Sequence, residues 1–215
     1  MRVGILTWYK AINHGAVLQT YASSELLKRM GCTPIVLDYH WSVSDEENKV
    51  GRLLRRIHNF SIGRFFWYMG VKKVLRPKIK AFNDFISNEL FIGNDYQKEK
   101  GLDAVYIGSD MVFDISEGYN PYMYGLGVPS DYIFSYAASF GYSTLEKIKA
   151  HSHYDDIMNS LQKLKEIGYR DENTLQICTE LAPNVSKTEN IDPVLCYGFK
   201  REIKEWDTGK WNKEK

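Results

Sequence analysis

The chain has 215 residues, 44% hydrophobic and 26% charged, which excludes global disorder and supplies enough apolar side chains for one substantial core. Its formal net charge of +1 excludes a whole-surface attraction for nucleic acid or acidic polymers, so an electrostatic partner must meet a local patch. No apolar run reaches the roughly 18 residues of a membrane-spanning helix, and the opening Met1 to Tyr9 lacks a secretory h-region and cleavage site. Cys32, Cys178 and Cys196 are odd in number, far apart and without metal-ligand spacing. The expectation is a cytoplasmic protein with reduced thiols and no metal or bound cofactor.

In chain order, Val3 to Tyr9 is a buried-strand pattern, followed by a polar turn through Asn13-His14-Gly15 and a helical pattern from Ala16 to Met30. Gly31 stands where a C-terminal cap belongs. Pro34 to Tyr39 reads as a second strand, and strand, helix and strand within about 40 residues make a right-handed βαβ unit with parallel strands. The predicted fold class is α/β, with a Rossmann-like parallel sheet and flanking helices. Helical segments follow at Gly51 to Asn59, Arg64 to Leu75 and Pro77 to Asn88, an insertion of about residues 50–90. Strands resume at Asp103 to Ile107 and Tyr132 to Ala138, separated by a loop rich in Gly, Tyr and Pro from Ser116 to Ser130. Helices at Thr144 to His151 and His153 to Lys165, a strand at Glu166 to Tyr169, a helix at Glu172 to Leu181 and a strand-like Asn190 to Leu195 complete a domain of residues 1–197. Residues 198–215 read as a polar tail that frays.

Ligands of open parallel sheets bind beyond the carboxyl ends of the strands, where loops and helix N-termini meet. That rule selects four places. In Asn13-His14-Gly15-Ala16 glycine permits close backbone approach and the next helix offers its positive end, although a turn alone asks for the same residues. Gly108-Ser109-Asp110 offers a hydroxyl and a carboxylate, unless Asp110 merely caps a turn. The small-residue run Ala137-Ala138-Ser139-Phe140-Gly141 suits either a closely approached cleft wall or helix packing. Arg170, just before a helix, can grip an anion with its planar fork or pair with Asp171 or another acid. No GxGxxG or Walker-type phosphate loop is present, which disfavours ordinary nucleotide binding.

Taken together, Val3 to Thr7 with Asn13 to Ala22, then Ile35 to Tyr39, Val105 to Asp110, Tyr136 to Gly141, Arg170 to Glu172 and Ile191 to Leu195 resemble, in order and spacing, the polysaccharide pyruvyl transferase family. The resemblance covers residues 2 to about 197 and implies one half of a glycosyltransferase-B-like architecture. It implies transfer of pyruvyl from phosphoenolpyruvate, as co-substrate, onto two hydroxyls of a saccharide or lipid-linked saccharide. Arg170 then meets the donor's anionic groups. Asn13, His14, Gly15, Gly108, Ser109, Asp110 and Ser139 are the other candidate substrate-binding residues, with Asp110 the catalytic candidate. The second Rossmann-like half, which by the resemblance carries further donor contacts and a catalytic histidine, is expected to be missing from a truncated chain or to come from a partner chain; His14, His58, His151 and His153 match no catalytic position. Where the family continues with Gln, Val, Trp and Asn, this chain has Met111, Val112, Phe113 and Asp114. Two other readings are a glycosyltransferase-like group transfer and a non-catalytic half that needs a partner.

Between Asn48 and Asn83 lie ten basic residues and no acidic one, interleaved with Phe60, Phe65, Phe66, Trp67 and Tyr68. Such a segment suits a solvated helical face with its aromatics turned inward or, alternatively, an anionic inner membrane face. No nucleic-acid motif accompanies it.

Overall fold

A strand with apolar residues on both faces belongs in the middle of a covered parallel sheet, and Arg2–Leu6 (β1) is such a strand: Val3, Ile5 and Leu6 are fully buried. The computed structural model describes residues 1–39, 62–96, 98–116 and 118–207. Thr33–Asp38 (β2) pairs with β1 on one side, Gly4 opposite Ile35, and Ile92–Asp95 (β3) lies beyond it. Ala104–Asp110 (β4) pairs with β1 on the other side, Gly4 opposite Val105. Ile133–Ala138 (β5), Glu166–Tyr169 (β6) and Ser186–Glu189 (β7) continue outward. All seven strands are parallel, in the order β3-β2-β1-β4-β5-β6-β7, flanked by helices, as the α/β expectation requires. The chain winds outward from β1 to β3, then crosses back to β4 and winds the other way. The direction therefore reverses between β1 and β4.

The helix His14–Arg29 (α1) starts because the Asn13 carboxamide oxygen accepts the Gly15 N–H at 2.8 Å, closing the N-cap. It stops at Gly31, whose φ of +78° is inexpensive only without a Cβ, with Lys28 and Arg29 in the negative last turn. Ile62–Glu89 (α2) is one helix that runs through Pro77, where two helices were expected. Proline costs one intrahelical bond, but Pro77 is exposed, so water can take the freed carbonyl. The predicted helix Gly51 to Asn59 lies outside the described residues.

Further on, Leu145–Lys149 (α3) and Tyr154–Lys163 (α4) are shorter than their patterns, while β6 and Glu172–Leu181 (α5) fall on the predicted bounds. A single 3-10 turn, Pro121–Tyr124, organises the Gly/Tyr/Pro loop and buries Met123 and Tyr124.

Two expectations are corrected near the C-terminus. Asn190 to Leu195 is not a strand: Asp192 accepts the Val194 N–H at 2.9 Å and Pro193 occupies the first turn of a helix, Pro193–Tyr197 (α6). The last strand is instead β7, a polar edge held by backbone pairing to β6. Nor does the chain fray directly after residue 198. Lys200–Asp207 (α7) is anchored where the Glu202 carboxylate accepts the Tyr21 hydroxyl at 2.9 Å and the Tyr197 hydroxyl at 2.7 Å. Residues 208–215 lie outside the described ones. Among the described residues no helix is long and apolar enough to cross a membrane.

Candidate functional site

Where a parallel sheet reverses its winding, the loops leaving two adjacent strands part and leave a crevice at the carboxyl edge. Here those strands are β1 and β4. Residues 7–13 leave the first towards α1, and Met111 onward leave the second.

The floor of the crevice is a closed ring of polar side chains. Gln19, on the first turns of α1, donates through Nε2 to Thr7 Oγ1 at 2.6 Å. Its Oε1 accepts both the Ser109 N–H at 3.0 Å and the Ser109 hydroxyl at 2.8 Å, and Thr7 Oγ1 donates back to the Ser109 carbonyl at 3.4 Å. Gln19 and Ser109 are 3% and 0% exposed, so a neutral amide that both donates and accepts is what this place permits. The carboxyl end of the neighbouring strand β2 is polar as well. The Asp38 carboxylate accepts the Tyr9 hydroxyl at 2.7 Å and pairs with Lys10. Burial, then this bond to Asp38, pushes the Tyr9 phenol above its ordinary range, so it acts as a neutral donor.

Above the floor, three charged side chains from different elements meet. Arg170, at the carboxyl end of β6, donates through Nη2 to Asp110 Oδ1 and through Nη1 to Asp192 Oδ2, each at 3.3 Å. All three are about 30% exposed on the crevice side. Asp171, the sequence-neighbour alternative for Arg170, is occupied elsewhere, its Oδ1 accepting the Thr174 N–H at 2.8 Å as the N-cap of α5. Asp110 serves a turn as well, accepting the Met111 N–H at 2.9 Å. It does so at φ +86°, a region that side-chain-bearing residues seldom occupy and that is often held at functional sites.

Two hollows adjoin along this edge and share Asn13, Ala16 and Asp110. One, of about 460 Å³, is lined by Gly15, Gln19, Arg170 and Asp192 besides the shared residues. The N-terminus of α1 opens into it, adding partial positive charge to that of Arg170. The other, of about 380 Å³, is walled by Trp8, Tyr142, Met111 and Asp114.

The structure thus brings together Asn13, Gly15, Asp110 and Arg170 among the predicted site residues. The others line neither hollow. His14 turns away and packs on Phe82, ring centroids 4.9 Å apart, in an apolar groove between α1 and α2. Ser109 belongs to the buried floor, and Gly108, at φ +122°, abuts the Tyr136 carbonyl and leaves no room for a Cβ. Ser139 is 4% exposed and accepts the Gly141 N–H at 2.9 Å, a turn role. Sequence reasoning passed over Gln19, Asp192, Trp8, Tyr142 and Asp114. The signal for Gln19 was available, a polar residue on the buried stripe of a helix next to a nominated turn. Asp192 was readable as the N-cap of an Asp-Pro helix start.

Asp114, in the stretch where the chain departs from the family pattern, accepts the Ser143 hydroxyl at 2.5 Å and the Ser116 hydroxyl at 2.8 Å. Val112 and Phe113 between it and Met111 are core residues. Among the described residues no group of three or more His, Cys, Asp or Glu is placed to hold a metal ion.

Fold and crevice define a Rossmann-like α/β protein with a mixed-charge crevice where the winding of its sheet reverses. Comparison with protein-family models, curated proteins and solved structures gives no match.

Proposed function

We propose that this protein transfers the pyruvyl group of phosphoenolpyruvate to two hydroxyls of a sugar, the reaction its sequence resemblance to polysaccharide pyruvyl transferases implies. One observation carries the reading. Asn13, Asp110, Arg170 and Asp192, drawn from four of the stretches that carry the resemblance, line one hollow at the carboxyl edge of the sheet, with Arg170 bonded to both carboxylates.

The chemistry asks for three things. A proton must reach the donor's methylene carbon, the C2–O bond to phosphate must break, and two sugar oxygens must bond to C2 as their protons leave. The hollow lined by Arg170 suits the donor. Arginine has five N–H groups and two are engaged by Asp110 and Asp192, so the fork retains donors for a phosphate or carboxylate. An anion bound there competes with Asp110 for Arg170. The Asp110 carboxylate, relieved of that partner and standing at the border of both hollows, is then the candidate to take a hydroxyl proton.

A second Rossmann-like unit facing this edge, in the same protein or a partner chain, would supply the remaining donor contacts and the acid, in a glycosyltransferase-B-like arrangement. Work on a lipid-linked saccharide at the inner membrane face belongs to the same proposal. Of the basic segment, Arg76, Lys78 and Lys80 are described and exposed, with Lys80 at 3.5 Å from Asp84; residues 48–61 lie outside the described ones. The reading is tested by incubating the protein with phosphoenolpyruvate and candidate glycans. Release of inorganic phosphate with a ketal-bearing product supports it, whereas release of nucleoside diphosphate from a sugar nucleotide in its place would select glycosyl transfer.

A further inference from the structure

We propose that the hollow between Trp8 and Tyr142 is the subsite for an uncharged sugar ring and that it refuses acidic or phosphorylated sugars. The inference rests on the group-transfer reading above and adds which wall the acceptor uses and which acceptors are turned away.

Its volume of about 380 Å³ falls within the range of pockets that hold small ligands, about 300–1,000 Å³. Its walls are aromatic. Tyr142 is 75% exposed, a large apolar ring left in solvent at the rim, with its backbone carbonyl accepting Lys147 Nζ at 3.3 Å. Trp8 is half-buried, and its indole N–H donates to the Met111 carbonyl at 3.4 Å, which orients the ring. A sugar ring presents weakly positive C–H groups on its faces, and an aromatic face carries the negative end of its quadrupole, so the two attract without any charge on the ligand.

The polar groups are placed for hydroxyls. Asp114 is fixed by Ser143 and Ser116, with Oδ1 accepting the Ser143 hydroxyl at 2.5 Å and the Ser116 N–H at 3.0 Å. Among the described residues Oδ2 accepts the Ser116 hydroxyl alone, at 2.8 Å, which leaves it a second lone pair for a ligand. Gly141 lies directly against this carboxylate: a Cβ there would stand 3.0 Å from Asp114 Oδ2 and 2.7 Å from Met111 Sδ. The other carboxylate, Asp110, borders the hollow of Arg170, so a hydroxyl held on it faces the donor.

Selectivity follows from charge. The described lining contains Asp110 and Asp114 and neither lysine nor arginine. A uronate or sugar phosphate would meet Asp110, whose counter-charge Arg170 lines the other hollow, and Asp114, whose hydrogen-bond donors among the described residues are all neutral. Aromatic walls with carboxylates also suit an alkylammonium ion. Asp110 is already paired with Arg170, which leaves Asp114, held by neutral donors, as the carboxylate in the described lining that could draw a cation, and choline is therefore probed beside the glycosides.

The test is saturation-transfer NMR on the full chain with the methyl glycosides of glucose, galactose, mannose and N-acetylglucosamine. Glucuronate, choline and phosphoenolpyruvate are probed separately. At least one neutral glycoside is expected to receive saturation on its ring C–H protons. Tyr142→Ala should weaken that binding about tenfold and Tyr142→Phe should restore it, since only the ring face is used. Tyr142 is exposed, so neither variant endangers the fold. Silence from all four glycosides, binding indifferent to Tyr142→Ala, or stronger signals from glucuronate or choline would overturn the proposal. Glycoside binding without phosphoenolpyruvate binding would support this subsite while contradicting the donor reading. Displacement of the glycoside by phosphoenolpyruvate from the Tyr142 wall would overturn the subsite.

Discussion

Asp110 and Arg170 stand sixty residues apart in the chain and 3.3 Å apart in the fold, joined across the carboxyl ends of β4 and β6. A pair at about 30% exposure is partly screened and adds little to stability by itself. Its interest lies in what it aligns: a strained carboxylate at the border of two hollows and a guanidinium with N–H groups to spare.

The floor beneath that pair should be more costly to disturb than the pair itself. Gln19→Ala leaves the buried Ser109 N–H and hydroxyl and the Thr7 hydroxyl without their central partner. A loss of about 2–4 kcal/mol is expected in urea unfolding. A cycle of Gln19→Ala with Thr7→Val should show coupling of about 1 kcal/mol or more, because the two side chains act as one network.

Gly108→Ala tests the close approach of β4 to β5. At φ +122° with the Tyr136 carbonyl against the position of a Cβ, alanine has neither a permitted backbone conformation nor space. The expected loss is about 3 kcal/mol or more, seen as a lowered Tm or failure to accumulate as folded protein. Near-native stability would show that the two strands can separate cheaply.

Much of the framework was readable from the chain because burial is written in apolar runs. The runs at β1, β2, β4 and β5 are long and apolar, and the Asp171 N-cap marks where β6 has ended and α5 begins. The two edge strands carry no such signal. β7 is Ser-Lys-Thr-Glu, and β3 holds one apolar residue, its shape coming from Ile35 and Glu99 packed against Gly93. Asn190 to Leu195 misled because the apolar Val194 and Leu195 mimic a strand, while the local Asp-Pro start decided for a helix. At the site, charge and turn chemistry pointed to Asp110, Arg170, Asn13 and Gly15. Residues chosen for the same polarity, Ser109 and Ser139, were consumed by internal hydrogen bonds that only the tertiary arrangement reveals. Tyr142 and Trp8 carry no sequence mark that separates a cleft wall from a core aromatic.

The anchor of α7 should respond to acid. Burial alone would raise the Glu202 carboxyl, but hydrogen bonds from Tyr197, its own backbone and Tyr21, with Arg201 beside it, outweigh this and hold it below its ordinary 4.5. A depressed carboxylate adds stability that is fully present above its unfolded value and is lost as pH falls through the folded one. Glu202→Gln should therefore lower Tm at neutral pH and remove part of the decline below about pH 4.5. An unchanged acid limb in the variant would show that Glu202 takes no part in it.

The three thiols should react in order of exposure. Burial pushes the Cys178 thiol up to about 12, so it should resist a thiol reagent until the protein unfolds. Cys196 is exposed and should be modified first, with Cys32, half-buried, between them. Early modification of Cys178 under native conditions would reveal local opening of α5.

Calorimetric titration of the chain with phosphoenolpyruvate, beside Arg170→Ala and Arg170→Lys, tests the central claim most directly. Saturable binding is expected in the unaltered protein, lost in Arg170→Ala and weakened about tenfold in Arg170→Lys, which keeps the charge without the fork. Binding of equal strength in Arg170→Ala, or none by the folded unaltered chain, would contradict a donor site in this crevice.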